Sequence, residues 1–234
     1  MSESMDQILH LIESLSVDEM RTVRDHLRRR VPLHPLEEAW GATAEAILTA
    51  IARSTDLTQR GIRGILAEAM FEQSVLPPMV SAGWNTEAIT GDQAFDFLLQ
   101  KNGSRVRIQV KLQRRERGTP KDYAARSRAA LNCPEGRIYV VEVQKTRSGE
   151  KNGEKTRPYR FGDFDLLAVS MHPSSGDWNR FFFTVGGWLL PRKSDATLIE
   201  IFQPVPEHPD GFWTDDASLA VQWFQSGVQR RMYS

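Results

Sequence analysis

Cysteine is nearly absent: the 234 residues contain one, Cys133, which excludes an internal disulfide framework and any zinc site built on several thiolates. A reducing, cytoplasmic compartment is the expectation. Long apolar runs are missing too. The longest, around residues 165–171 and 181–190, fall short of the roughly 18–20 residues that a bilayer crossing needs, so no membrane partner is expected. The opening MSESMDQ has neither the basic start nor the apolar stretch of a secretory signal. No Walker phosphate loop occurs, which leaves ATP-driven translocation unsupported. The five histidines (His10, His26, His34, His172 and His208) show no metal-ligand spacing, and there is no internal repeat. Net charge is also lacking, since 30 Lys and Arg balance 30 Asp and Glu.

What is present describes a globular protein with one sizeable core and at most a small appendage, 40% hydrophobic and 26% charged. Its charge is unevenly placed. Residues 101–160 hold 17 basic and 6 acidic side chains, a local balance of +11, leaving −11 for the rest of the chain. A neutral protein with a basic middle can still turn a cationic face to phosphates if the fold gathers that middle on one side. The plainer alternative is a set of solvated surface charges.

Helical periodicity dominates the first 55 residues, which read as a separate helical region. Residues 5–15 carry Ile8, Leu11, Ile12 and Leu15 at helical spacing. Ser16 followed by Glu19 forms a capping-box pattern for a second helix, and 37–51 reads as a third. A longer helix is predicted over 57–75, closed by Pro77-Pro78. From Trp84 onward the period becomes two, and 91–114 reads as a β-hairpin. A short helix at 123–131, strands at 137–144, 164–171, 180–190 and 196–203, and a helix at 216–232 complete the pattern; the polar stretch 146–156 reads as a loop.

The hairpin carries the chemistry. Asn102-Gly103 is the strongest two-residue turn signal. With that turn, Leu99 faces Val106, Phe97 faces Ile108 and Phe95 faces Val110, an apolar face that a one-residue slip would scramble. The other face then brings Asp96 opposite Gln109 and diagonal to Lys111, with Arg107 beside them. Opposed residues have Cβ atoms about 5 Å apart, so a carboxylate, a carboxamide and an ammonium converge. Asp96 and the Gln109 carbonyl offer two of the oxygen ligands that magnesium prefers. Lys111 is placed either to orient and help deprotonate an attacking water or to stabilise charge on a phosphate.

The preceding helix adds an acid. In Gln59–Glu68, helical spacing aligns Gly61, Gly64, Ile65, Glu68 and Glu72 on one stripe. Glycines weaken a helix, so their presence predicts close packing. If the hairpin is what packs there, Glu68 reaches the ion directly or through water; otherwise it is a solvated helix glutamate.

These residues resemble the PD-(D/E)XK nuclease superfamily: Asp96 matches the Asp at the hairpin, Gln109-Val110-Lys111 the acidic-x-Lys element, and Glu68 the helical glutamate of many members. Gln109 departs from the pattern, where most members carry Asp or Glu. The resemblance spans about residues 57–171 and implies a mixed α/β fold, a restriction-endonuclease-like core with a central mixed sheet flanked by helices, within a catalytic domain at 56–234 behind a helical extension at 1–55 that would serve dimerisation or clamp DNA. Among members the chain looks most like a type II restriction endonuclease. That likeness implies Mg²⁺ (with Mn²⁺ as substitute) at Asp96, Gln109 and Glu68, Lys111 positioning water, double-stranded DNA as substrate, 5′-phosphate and 3′-hydroxyl ends, and a homodimer to cut both strands. The expected DNA contacts are Arg107, Arg114, Arg115, Arg117 and Lys121, then Lys145, Arg147, Arg157 and Arg160 ahead of the strand at 164–171. Asp163 and Asp165 read as structural. The alternatives are a repair or structure-selective nuclease on the same scaffold, or a DNA-binding protein with an inactive core.

Overall fold

The computed structural model describes residues 3–28, 30, 34–91, 93–145, 150–151, 154–155 and 158–233. Contacts divide the chain into two units, Met1–Gln59 and Arg60–Ser234.

The first unit holds α1 (Glu3–Glu13), α2 (Val17–Arg28), α3 (Pro35–Trp40) and α4 (Ala44–Arg53). The capping box forms as predicted: the Ser16 N–H donates to Glu19 Oε2 at 2.8 Å, and the Glu19 N–H to Ser16 Oγ at 3.4 Å. The single helix expected over 37–51 is two. Gly41, at φ 59°, closes α3, and the Thr43 hydroxyl oxygen accepts from Ala46 N–H at 3.2 Å to open α4. None of the described residues of this unit is buried.

Helix α5 (Asp56–Ser74) runs across the unit boundary, followed by α6 (Leu76–Ser81). Pro77 and Pro78, expected only to end α5, lie in the first turn of α6, where a missing N–H breaks no helical bond. Next come β1 (Asn85–Glu87), β2 (Phe97–Lys101) and β3 (Ser104–Leu112). The β2–β3 turn is Asn102-Gly103, both at positive φ (50° and 79°), and the register matches the sequence prediction from Lys101↔Ser104 to Phe97↔Ile108.

After β3 the chain makes a long excursion through β4 (Arg115–Glu116), β5 (Thr119–Pro120), α7 (Ala125–Ala129), β6 (Ile138–Glu142), β7 (Glu150–Lys151) and β8 (Glu154–Lys155). Much of the polar stretch 146–156 lies outside the described residues. The chain rejoins the sheet as β9 (Leu166–Ser170), parallel to β3, then continues through α8 (His172–Ser175) to β10 (Phe181–Val185), antiparallel to β9. The sheet order is β1-β2-β3-β9-β10, a mixed sheet. The strand expected over 180–190 stops at Val185 because a 3₁₀ turn begins at Gly186, where a Cβ would stand 2.7 Å from the Phe164 carbonyl oxygen. The strand expected over 196–203 is two, β12 (Asp195–Ile199) paired with β11 (Pro191–Arg192), and β13 (Phe202–Pro206) paired with β6. Helix α9 (Ala217–Gln225) is shorter than the predicted 216–232.

Both faces of the sheet are apolar, as a covered sheet requires. Phe97, Leu99, Val106, Ile108, Val110, Phe181 and Phe183 pack against Ala67 and Phe71 of α5, Met79 of α6 and Val221 of α9. On the other face Leu167, Val169 and Phe182 meet Tyr139 and Val141 of β6, Val205 of β13, Tyr159 and Trp213. The chain is thus a mixed α/β protein in which one helix and one hairpin are pressed together at a sheet.

Candidate active site

β3 runs on from Gln109 to Leu112 past its last rung with β2, and the site lies in that gap. The Asp96 N–H donates to Ile108 O at 2.9 Å, one residue out of step with the ladder. Asp96 Oδ2 then accepts the Val110 N–H at 2.8 Å, taking the place of the next backbone acceptor. The same oxygen accepts from Gln109 Nε2. Asp96 Oδ1 accepts no hydrogen bond among the described residues.

Glu68 reaches this point because of Phe71, one turn further along α5. The Phe71 ring is buried, stacks on Phe97 of β2 at 4.8 Å between centroids, and meets Phe181 edge-on at 5.6 Å. The glycine stripe plays no part in the docking. A side chain at Gly61 or Gly64 would meet nothing within 4 Å, and Ile65 is 65% exposed. The close packing predicted from those glycines is not found; Ala67 and Phe71 form the buried stripe instead.

The electrostatics tie the four residues together. The Glu68 carboxyl is pushed up to about 7, first by burial and then by the negative charge of Asp96, with Lys111 opposing. Burial also pushes Asp96 up, against Lys111, the Val110 N–H and Gln109. The Lys111 amine is pushed down by burial, against Asp96 and Glu68. Yet among the described residues Lys111 forms no hydrogen bond or ion pair, with either acid or otherwise. Two half-buried acids and an amine therefore lie near one another: Glu68 feels the charge of Asp96 and Lys111, and Lys111 that of both acids, with no hydrogen bond or ion pair between Lys111 and either acid.

Gln109 differs from its expected role. Its carbonyl oxygen, read as an ion ligand, accepts from the Tyr159 hydroxyl at 3.0 Å, while its nitrogen faces Asp96 and also donates to Val110 O at 3.1 Å. The reason is chemical: a carboxylate only accepts, so the neighbouring amide turns its donor to it and needs another donor for its own oxygen. Tyr159 was not among the predicted residues. It is 4% exposed, and its ring lies 5.6 Å from Lys111 Nζ and 5.5 Å from Lys145 Nζ. Tyr159→Phe is expected to lower stability by about 1–3 kcal/mol by leaving the buried amide oxygen unpaired. A lower urea midpoint at unchanged slope is the check.

Among the described residues no cluster of three or more His, Cys, Asp and Glu is placed to hold a metal ion. The donor set here is two carboxylates. Magnesium is bound in just that way elsewhere, through one or two carboxylates with water and phosphate oxygens completing the shell. The free Asp96 Oδ1 and the two carboxyls, both raised by burial and Glu68 further by the Asp96 charge, fit a divalent cation, which would offset that cost.

The predicted DNA contacts divide. Arg107 is clamped by Asp165, at 2.6 Å to Oδ1 and 3.0 Å to Oδ2, and Asp165 Oδ2 also accepts the Arg107 backbone N–H at 2.8 Å. Arg114 pairs with Glu142 and lies over the Phe202 ring, and Lys121 pairs with Glu116 at 2.9 Å. These side chains are engaged within the fold because the parallel β3–β9 pairing brings Asp165 beside Arg107, β6 brings Glu142 beside Arg114, and the β4–β5 hairpin brings Glu116 beside Lys121. Asp165 and Asp163 are structural as expected, the latter accepting the Arg160 N–H at 3.0 Å. Arg160 also reaches the Thr197 hydroxyl at 3.4 Å. Arg115 donates to the Gly118 carbonyl, whereas Arg117 is exposed. Arg147 and Arg157 lie outside the described residues.

No family model matches the sequence, and no curated protein matches it either. Among solved structures, the bacterial homing endonuclease I-Ssp6803I overlaps 71% of this chain and 94% of its own, at 17% identity and a TM-score of 0.38, a likeness too loose to carry over a fold or an activity.

Proposed function

We propose that the chain is a divalent-cation-dependent endonuclease that hydrolyses phosphodiester bonds in double-stranded DNA. The observation that carries this reading is the clustering of Glu68, Asp96 and Lys111, where Glu68 feels the charge of both others, Asp96 feels that of Lys111, and the amine forms no hydrogen bond or ion pair among the described residues. Asp96, through Oδ1, and Glu68 would hold Mg²⁺; when bound, the cation polarises the phosphoryl group and stabilises the leaving oxygen. Lys111 donates to a non-bridging phosphate oxygen or orients the attacking water, and being half-buried it does so with little competition from solvent. Gln109 and the Val110 N–H fix the Asp96 carboxylate, so that one oxygen stays available. The order Asp96, then Gln109-Val110-Lys111, supports the finer reading of a type II restriction endonuclease. Such an enzyme would cut both strands at a specific site, most simply as a homodimer, and leave 5′-phosphate and 3′-hydroxyl ends. The engaged Gln109 oxygen favours one second reading, a DNA-binding protein whose core no longer cuts.

The test is plasmid and branched DNA incubated with the protein in Mg²⁺, Mn²⁺ or EDTA, with the ends sequenced. Discrete fragments that need the cation are expected; wild-type protein that binds duplex DNA but never cuts any of these substrates sinks the nuclease reading and leaves the binding one.

Glu68 gives the reaction a pH signature. Below about pH 7 its carboxyl holds a proton that competes with the cation. Cleavage at limiting Mg²⁺ is therefore expected to rise as pH passes through about 7 and then level, with excess Mg²⁺ moving the rise to lower pH. Stability without cation runs the other way. The native carboxyl binds its proton more tightly than the unfolded one, so this group's contribution falls between the ordinary carboxylate range and about pH 7. Single-turnover rates and thermal midpoints in EDTA check the two trends, and Glu68→Gln should abolish both.

A further inference from the structure

The hairpin β4–β5 contains a backbone conformation that its sequence does not favour. Its turn is Arg117-Gly118, with φ 50° and 84°. Glycine adopts that region freely, and asparagine does so with little loss, but an arginine with its Cβ does not. Among the described residues only Asn102, Arg117 and Tyr233 are non-glycine residues at positive φ. Asn102 has the usual turn chemistry; Arg117 does not.

The rest of the hairpin is held without Arg117. Arg115 donates to the Gly118 carbonyl at 3.1 and 2.7 Å, and the Thr119 hydroxyl donates to the Glu116 carbonyl at 3.0 Å. Lys121 Nζ pairs with Glu116 at 2.9 Å, and its backbone N–H bonds the Arg114 carbonyl at 2.8 Å. Helix α8 packs against β5. Arg117 itself is exposed and has no hydrogen bond or ion pair among the described residues. A strained arginine whose guanidinium bonds nothing among the described residues, its charge only adding to that of Lys121 and Arg114 at Glu116, points outward in role, since such strain persists where function uses it.

Its position agrees. The hairpin continues the strand that carries Lys111, six residues before Arg117. Six extended residues span at most about 20 Å, or about 6 base pairs of duplex. A two-stranded ribbon fits the major groove, and arginine bonds guanine O6 and N7 in a bidentate way.

We propose that β4–β5 is a groove-entering ribbon and that Arg117 reads a guanine within about 6 base pairs of the scissile phosphate. This rests on the duplex-DNA reading above. It separates Arg117 from Arg107, Arg114 and Arg115, whose guanidinium groups are engaged within the fold.

The test takes the full chain in EDTA, so that nothing is cut, and selects binders from a randomised duplex pool. Wild type is expected to enrich a motif containing guanine, and Arg117→Asn to lose that guanine. Affinity for the wild-type motif should fall by about 10- to 100-fold, with little change for unrelated duplex. Because asparagine suits the turn, the variant should melt about 2 °C higher. A variant that selects the same motif with equal affinity overturns the proposal. So does a uniform loss across all sequences with a shallower salt slope, which would make Arg117 a phosphate contact, and so does a lower melting point, which would make it a folding residue. If wild type binds no duplex at all, the underlying function fails first.

Discussion

Lys111→Met is expected to lower the single-turnover cleavage rate by about a thousandfold while the thermal midpoint at pH 7 stays level or rises. The two halves follow from one fact. The Lys111 ammonium is disfavoured by burial and forms no ion pair among the described residues, so the fold gains little from its charge. Methionine keeps the unbranched stem and so the packing, and because Lys111 forms no ion pair among the described residues, its removal does not break a buried pair, the change that is strongly destabilising elsewhere. Under the proposed mechanism the reaction loses the group that would meet phosphate charge. The remaining acids should titrate still higher, because the positive charge that holds both Asp96 and Glu68 down is gone. A variant that unfolds would mean the lysine is structural; one that cuts at the wild-type rate would remove it from the mechanism.

Asp96→Asn is expected to abolish cleavage, to below about one part in a thousand, and with it the stabilisation that Mg²⁺ gives wild type. A ligand at 100 times its Kd stabilises by about 2.7 kcal/mol, which for a chain of this length is a rise in melting temperature of about 5–10 °C. The asparagine oxygen can still accept the Val110 N–H, but its nitrogen cannot replace the open Oδ1 as an ion ligand. Duplex binding in EDTA should persist, because the variant removes one negative charge from a surface that faces phosphate under the proposed function. The informative measurement is the melting temperature with and without Mg²⁺, which reports ion binding even where no substrate is cut. A wild-type-like shift in the variant would place the ion elsewhere.

Much of this site was legible in the chain. Asn102-Gly103 and the alternating run on either side set the hairpin register as far as Phe97↔Ile108; beyond it Phe95 and Asp96 leave the predicted ladder, Phe95 packing on the other side of the sheet from Val110, and Asp96 meets Gln109 through its side chain instead. Helical spacing found Glu68, although through its glycines, which pack against nothing; the docking contact is Phe71 on Phe97, a pairing that depends on tertiary structure. Tyr159 was out of reach for a different reason. It lies 50 residues from Gln109, joined to it only once the excursion after β3 has returned, and no local pattern marks it. The fate of Arg107 was hidden likewise, since Asp165 becomes its neighbour only through the β3–β9 pairing.

That pairing has a consequence beyond the site. Two adjacent strands pointing the same way oblige the chain to leave at one end of the sheet and re-enter at the other, and here the detour between Leu112 and Leu166 contains the arginine-tipped ribbon. Its two endpoints are anchored by backbone rungs that do not depend on what lies between them. The exposed tip of the β4–β5 ribbon can therefore vary in length and sequence while Glu68, Asp96 and Lys111 stay where α5, β2 and β3 put them; Tyr139, Val141 and Tyr159 of the same detour cannot vary in this way, because they cover the sheet. Tyr159, whose hydroxyl reaches back to Gln109, marks where any such variation must still meet the chemistry.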